Sequence, residues 1–168
     1  VKERHADIGI TLDGDADRVL LADERGGLVD GDAILYVSAK HLHAKGHLGA
    51  STVVGTIMTF AALEEALGRE GIALARTDVG DHNVIAYMHE HGINLGGEPC
   101  GHIIYMHHGP TGDGVLAALR ILSIMKQSGK PLSELTRGYR PYPQKTVSVP
   151  VGEKTPFDQV PDIMKAQE

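Results

Sequence analysis

The run Asp13-Gly14-Asp15-Ala16-Asp17-Arg18 sets three carboxylates at alternating positions with a guanidinium directly after them. Carboxylates that converge in one loop repel unless a cation offsets them, and oxygen-only ligation suits a hard divalent ion, Mg²⁺ or Ca²⁺, better than zinc. An EF-hand is a specific rival, because counting Asp13 as the first position makes Asp15, Asp17 and Glu24 the third, fifth and twelfth. Its sixth position, however, is Arg18 and not the glycine that the sharp turn needs, and both flanks read as strands where an EF-hand requires helices. Magnesium is the favoured reading, with a solvated acidic turn as the bland one. Arg18 is shaped to hold a phosphate oxygen that the same cation touches, or else to pair with the neighbouring aspartates.

A second constellation is Gly96-Gly97-Glu98-Pro99-Cys100-Gly101-His102. Its glycines let the backbone approach a ligand, while Glu98, Cys100 and His102 alternate and can face one way. A carboxylate and an imidazole on one loop suit recognition of hydroxyls, as on a sugar. One Cys and one His fall short of a zinc ligand set, and a Cys100 nucleophile served by His102 is the covalent alternative. His43 and His47 stand four apart near a helix end, where imidazoles already favour the dipole over a metal. His89-Glu90-His91 lacks metalloprotease spacing. The glycine-rich stretch from Gly109 to Gly114 lacks the Lys-Ser/Thr of a P-loop, and capping by Asp113 explains it better.

The elements that must position these loops follow from periodicity. Ala6 to Leu12 alternates as a strand running into the acidic loop, and Val19 to Ala22 is a second short strand, making a hairpin-like pair. From Asp32 the pattern is helical, with Ile34, Val37 and Leu42 near one face and Lys45-Gly46 as the stop. Strands are expected at Ala50 to Gly55, Ile72 to Arg76, Ile93 to Leu95 and Ile103 to Met106. Helices are expected at Met58 to Arg69, Asp81 to His89, and from an Asp113 cap to Gln127 with Val115, Leu119, Leu122 and Met125 as its inward stripe. A short helix at Leu132 to Arg137, a proline-containing linker and a strand at Lys145 to Val151 complete the reading. Strands alternating with helices give an α/β fold: a layered mixed sheet flanked by helices, with a partial neighbouring domain at each end.

Composition agrees. With 42% hydrophobic and 23% charged residues the 168-residue chain can bury a core, and no apolar run approaches the roughly 18 residues of a membrane span. A net charge of -6 with neither sign gathered into a long block argues against a nucleic-acid surface, and one cysteine fits a reducing, cytoplasmic setting. Twenty-one glycines against two Phe, five Tyr and no Trp point to backbone loops around a polar ligand.

DGDADR after a strand, with GGEPCGH about 80 residues later, resembles the metal loop and sugar loop of the α-D-phosphohexomutases. VGT-x-M-T, TDVGDH, PTGDG and YPQKTVSV are similar to the phosphoglucosamine mutase branch. The resemblance covers nearly the whole chain and implies a four-domain, Mg²⁺-dependent isomerase. Residues 1–28 would end the metal-loop domain, 29–138 would form the sugar-binding α/β domain, and 139–168 would be a linker and the start of the phosphate-binding domain. It also implies that Asp13, Asp15 and Asp17 hold Mg²⁺ and that Arg18 steadies the transferring phosphoryl group. Glu98, Cys100 and His102, with Asp81 and His82, would bind a hexosamine phosphate. The phosphoserine and the phosphate clamp of such enzymes are not in these residues, so this stretch alone is expected to be inactive. Its partners would be the missing domains of the same enzyme, with a homodimer as one assembly open to it. Three positions depart from the family pattern: Cys100 stands for the usual serine, His82 for arginine and Phe60 for asparagine. Readings of another class or preference are a non-catalytic metal or sugar-phosphate-binding module and a mutase for mannose or glucose phosphates.

Overall fold

A computed structural model of the chain describes residues 1–143, 147, 148, 150, 156 and 159–165. Strands β1 (Gly9–Leu12) and β2 (Val19–Ala22) pair antiparallel on either side of the acidic loop, with Leu12 opposite Val19. A third strand, β3 (Leu28–Val29), adds to the other edge of β2. Two residues carry no readable period, and for that reason β3 has no counterpart in the sequence reading. Along β2, Val19 and Leu21 are buried while Leu20 is exposed, the period of two that a half-covered sheet imposes.

The remainder runs α1 (Gly31–Ala44), β4 (Thr52–Thr56), α2 (Ala61–Arg69), β5 (Ala73–Thr77), α3 (Asp81–His91), β6 (Leu95–Gly97), β7 (Ile103–Tyr105), α4 (Gly114–Ser128), α5 (Leu132–Leu135) and α6 (Pro161–Lys165). The second sheet has the order β5-β4-β6-β7, with β4 parallel to β5 and β6, and β7 antiparallel to β6. Alternation along its strands feeds two cores. Val53, Leu95, Ile103 and Tyr105 pack under α1, α2 and α4, whereas Val54 and Ile104 meet Val84 and Met88 of α3 on the other face. The expected layered mixed sheet flanked by helices is present. Among the described residues no helix is long and apolar enough to cross a membrane.

Several boundaries move for local reasons. Helix α2 begins at Ala61 because Thr59 closes a turn on Thr56, its Oγ1 accepting the Thr56 N–H, which leaves Ile57 and Met58 exposed. Strand β6 starts at Leu95 because Ile93 N–H caps α3 through the Met88 carbonyl. Asn94 spends its side chain on the Gly49 N–H and the His47 carbonyl. The inward stripe expected on α4 holds only in part: Met125 packs against the core and Leu122 is half-buried, but Val115 and Leu119 are exposed, and the buried positions are Ala117, Ala118, Ile121 and Ile124. Bulk misleads here, because alanines let α4 approach α1 and the sheet closely. Asp113 does cap α4, accepting the Leu116 N–H at 2.8 Å. Helix α5 stops at Leu135, and the strand expected at Lys145 to Val151 lies outside the described residues.

The start of α1 holds two carboxylates. Asp30 caps the helix by accepting the Ala33 N–H, and Asp32, fully buried, accepts the Phe60 N–H while its Oδ1 has no partner among the described residues. Burial first, then the Asp30 charge, push the Asp32 carboxyl up to about 7. A carboxyl raised in the folded state keeps its proton where the unfolded chain has lost it. The stabilisation is therefore fully present near pH 4 and is lost as the pH rises through about 7. Asp32→Asn should match the wild type in urea unfolding at the acid end and exceed it in mildly alkaline buffer. The gain has a ceiling of about 4 kcal/mol at about 1.4 kcal/mol per pKa unit. A difference that does not change with pH would show that Asp32 is ionised throughout.

Candidate functional site

The acidic loop is a turn closed by Ala16 N–H to the Asp13 carbonyl, with Ala16 in the left-handed region at φ 61°. That conformation costs a residue with a Cβ about 1–2 kcal/mol. It is held because the Gly114 N–H, the first of α4, donates to the Ala16 carbonyl at 2.9 Å. Asp13, Asp15 and Asp17 then each offer an oxygen, all within 4.8 Å of one another. An octahedral ion with bonds of about 2.0–2.1 Å spaces its ligands about 3–4 Å apart, so these three fit Mg²⁺ with little movement. Arg18 stands over the pair, its Nε 3.7 Å from Asp17 Oδ1 and 3.9 Å from Asp13 Oδ2, with half of the side chain exposed. The Arg18 N–H donates to Asp13 Oδ1 at 3.2 Å. The flanks of this loop are strands, as the case against an EF-hand requires.

The two loops expected to do chemistry lie side by side. Val19 N–H donates to the Gly101 carbonyl, Gly31 N–H donates to the Pro99 carbonyl, and Arg18 bridges antiparallel to His102. Gly101, at φ 96°, and Gly31 allow this: a Cβ on Gly101 would lie 2.1 Å from the Val19 carbonyl oxygen, and one on Gly31 2.1 Å from that of Glu98.

His102 is buried. Its Nε2 accepts the Gly112 N–H at 3.1 Å, which puts the ring proton on Nδ1, 3.1 Å from Asp17 Oδ2. Both nitrogens are occupied within the chain, one of them by an aspartate of the acidic loop, a contact that the sequence reading of His102 as a sugar-binding residue did not include. Nor is the ring free to serve as a base for Cys100, whose exposed thiol instead faces Glu98 Oε2 at 3.8 Å. The sequence reading placed Gly112 only in the glycine-rich PTGDG run before α4 and assigned it no contact. The available signal was its lack of a side chain, since a Cβ there would overlap the His102 ring.

Asp81 and His82 sit apart from this seam, exposed at the start of α3 and paired with each other, the His82 N–H donating to Asp81 Oδ1 at 2.7 Å. They follow the carboxyl end of β5 as Glu98 follows that of β6, with β4 between the two strands. Both groups thus follow the same edge of the sheet, from strand ends about 10 Å apart, the edge where α/β sheets bind ligands.

Residues 30–142 match the family model described as phosphoglucomutase/phosphomannomutase, alpha/beta/alpha domain III. A phosphoglucosamine mutase from Solidesulfovibrio magneticus is 49% identical over 166 residues, 99% of this chain and 37% of that protein. Another, from Geobacillus thermodenitrificans, is 49% identical over 92% of this chain and 34% of its own length. The chain thus spans about a third of the curated relatives it matches. The crystal structure of Aspergillus fumigatus N-acetylphosphoglucosamine mutase in complex with GlcNAc-6P and magnesium is alike in fold. It gives a TM-score of 0.76 over 94% of this chain and 42% of that one, at 19% identity. Likeness to the relatives extends from the acidic loop through the Glu98 loop, the same two loops that the fold joins, and the chain belongs to the phosphoglucomutase/phosphomannomutase family.

Proposed function

We propose that the protein to which this chain contributes interconverts glucosamine 6-phosphate and glucosamine 1-phosphate, passing a phosphoryl group through a phosphoserine in another part of the longer protein. The observation that carries the reading is the seam between the two loops, which sets a cation-ready carboxylate cluster beside a carboxylate suited to sugar hydroxyls. The identity to phosphoglucosamine mutases over nearly the whole chain supports the choice of sugar.

In this reading Asp13, Asp15 and Asp17 hold Mg²⁺, the ion present in the Aspergillus fumigatus complex. When bound, the ion supplies positive charge against phosphate oxygens, where phosphoryl transfer gains most. Arg18 holds the transferring group by its planar fork of donors. Glu98 accepts hydrogen bonds from sugar hydroxyls, Cys100 lies at the rim of the same loop, and Asp81 and His82 meet the far side of the sugar. Residues 1–28 and 139–168 then belong to the flanking domains, and the protein works in the cytoplasm.

The test is conversion of glucosamine 6-phosphate by the longer protein with a sugar bisphosphate activator. Glu98→Ala should lower kcat/KM at least about tenfold, since a charge-assisted hydrogen bond is worth about 1.5–3 kcal/mol. Cys100→Ser should preserve or raise it, because a hydroxyl donates better than a thiol. Loss of activity in Cys100→Ser with retention in Glu98→Ala would overturn the assignment of this loop. A higher kcat/KM for mannose or glucose phosphates would move the protein to another branch of the family.

A further inference from the structure

The acidic loop meets the first residue of α4 and the Glu98 loop meets the first residue of α1. At the other ends of these helices lie two adjoining cavities of about 130 and 220 Å³ that share His47, Tyr105 and Arg120. One also reaches His41 and Lys45 and the other His107 and His108, and no carboxylate lines either. In a chain of net charge -6, cationic groups have gathered here without an acid to meet them.

Arg120 is the centre of the cluster. Its guanidinium carbon lies 5.4 Å from the centroid of the Tyr105 ring, and Tyr105 is fixed by a buried 2.6 Å hydrogen bond with Ser38. Stacking holds the guanidinium in place while its donors stay unspent: among the described residues Arg120 makes no hydrogen bond or ion pair. Lys45 donates to Gln127 at 2.6 Å, a neutral partner that leaves its charge uncompensated. Burial and then the charges of Lys45, Arg120 and His47 hold the His41 imidazole below its ordinary pKa. Helix dipoles account for His41 and Lys45 at the end of α1, and His107 Nε2 accepts from the Asn94 side-chain amide at 2.9 Å, but neither accounts for Arg120 in the middle of α4 or His47 outside helices.

We propose that this cavity binds a phosphate dianion, free or as the end group of a small phosphate monoester, on a site separate from the acidic loop. The Arg120 fork takes two phosphate oxygens, and Lys45 and His47 close on the others. Like charges that repel one another in the empty cavity then become the source of its affinity.

Titration with inorganic phosphate at constant ionic strength, followed by the ring C–H resonances of His41 and His47, tests the site. A saturable shift in the low-millimolar range is expected. Arg120→Gln should weaken it at least about tenfold, or about 1.4 kcal/mol. Lys45→Gln, at an exposed position, should act in the same direction and keeps the test decisive if Arg120→Gln folds poorly. Arg18→Gln should leave it unchanged, which separates this cavity from anion binding at the acidic loop. Glycerol phosphate binding more tightly than inorganic phosphate assigns the site to a monoester, and the reverse assigns it to the free ion. Shifts that chloride reproduces, that fail to saturate, or that persist unchanged in both cavity variants would overturn the proposal.

Discussion

Gly101→Ala is expected to be the most damaging single methyl that can be added to the seam, costing about 2–5 kcal/mol from two separate sources. A left-handed residue with a Cβ is disfavoured by about 1–2 kcal/mol, and an atom forced into packed space costs about 1–3 kcal/mol more. Both apply here, because Gly101 has φ 96° and its Cβ would lie 2.1 Å from the Val19 carbonyl oxygen. Relief of that clash requires the Glu98 loop to withdraw from β2, breaking the bond from Val19 N–H to the Gly101 carbonyl. Gly92→Ala is the control, since Gly92 has φ 64° but open space around its Cβ position, so only the conformational cost of about 1 kcal/mol remains. Urea midpoints of the two variants measure the difference. Equal losses would mean that close approach contributes nothing and that the seam is looser than its hydrogen bonds indicate.

His102→Ala should weaken Mg²⁺ or Mn²⁺ binding about 10–100-fold without touching a ligand, the usual consequence of removing the group that orients one. The variant frees Asp17 to rotate and also strands the buried Gly112 N–H, a loss of about 1–3 kcal/mol in stability. The two effects separate in His102→Asn, whose amide can place a donor near the position of Nδ1 but leaves no acceptor for Gly112. Metal affinity should largely return in that variant while the stability loss remains. Calorimetric titration with Mn²⁺ and urea unfolding, run on both variants, read the two quantities independently. If affinity and stability instead recover or fail together, His102 acts only as a packing residue.

The order of strands and helices was legible because hydrophobic period survives in single sequences, and the carboxylate cluster was legible because it is contiguous. What distance along the chain conceals was not. His102 looked like one of three alternating side chains on a sugar loop, and only the docking of β2 against that loop gives its ring to Asp17 and Gly112, which lie 85 and 10 residues away in sequence. The buried face of α4 was only partly legible, because Ala117 and Ala118 pack by being small, whereas a hydrophobicity stripe is drawn by bulk. Asp32 gave no warning of its burial, since an acid in the first turn of a helix is ordinary by the dipole argument. Arg120 and Lys45 were invisible as a pair for the same reason: α1 and α4 come together only in the fold.

The seam is made largely of main chain, with N–H groups donating from Val19 to Gly101, Gly31 to Pro99 and Gly114 to Ala16, and with Arg18 and His102 bridged across it. Side chains can swap partners as surfaces slide, but a main-chain ladder yields only by releasing its bonds together. The acidic loop and the Glu98 loop therefore travel as one stiff body. Any motion that separates the acidic loop from the Glu98 loop must break these bonds at once, so movement elsewhere in the chain carries the pair along unchanged.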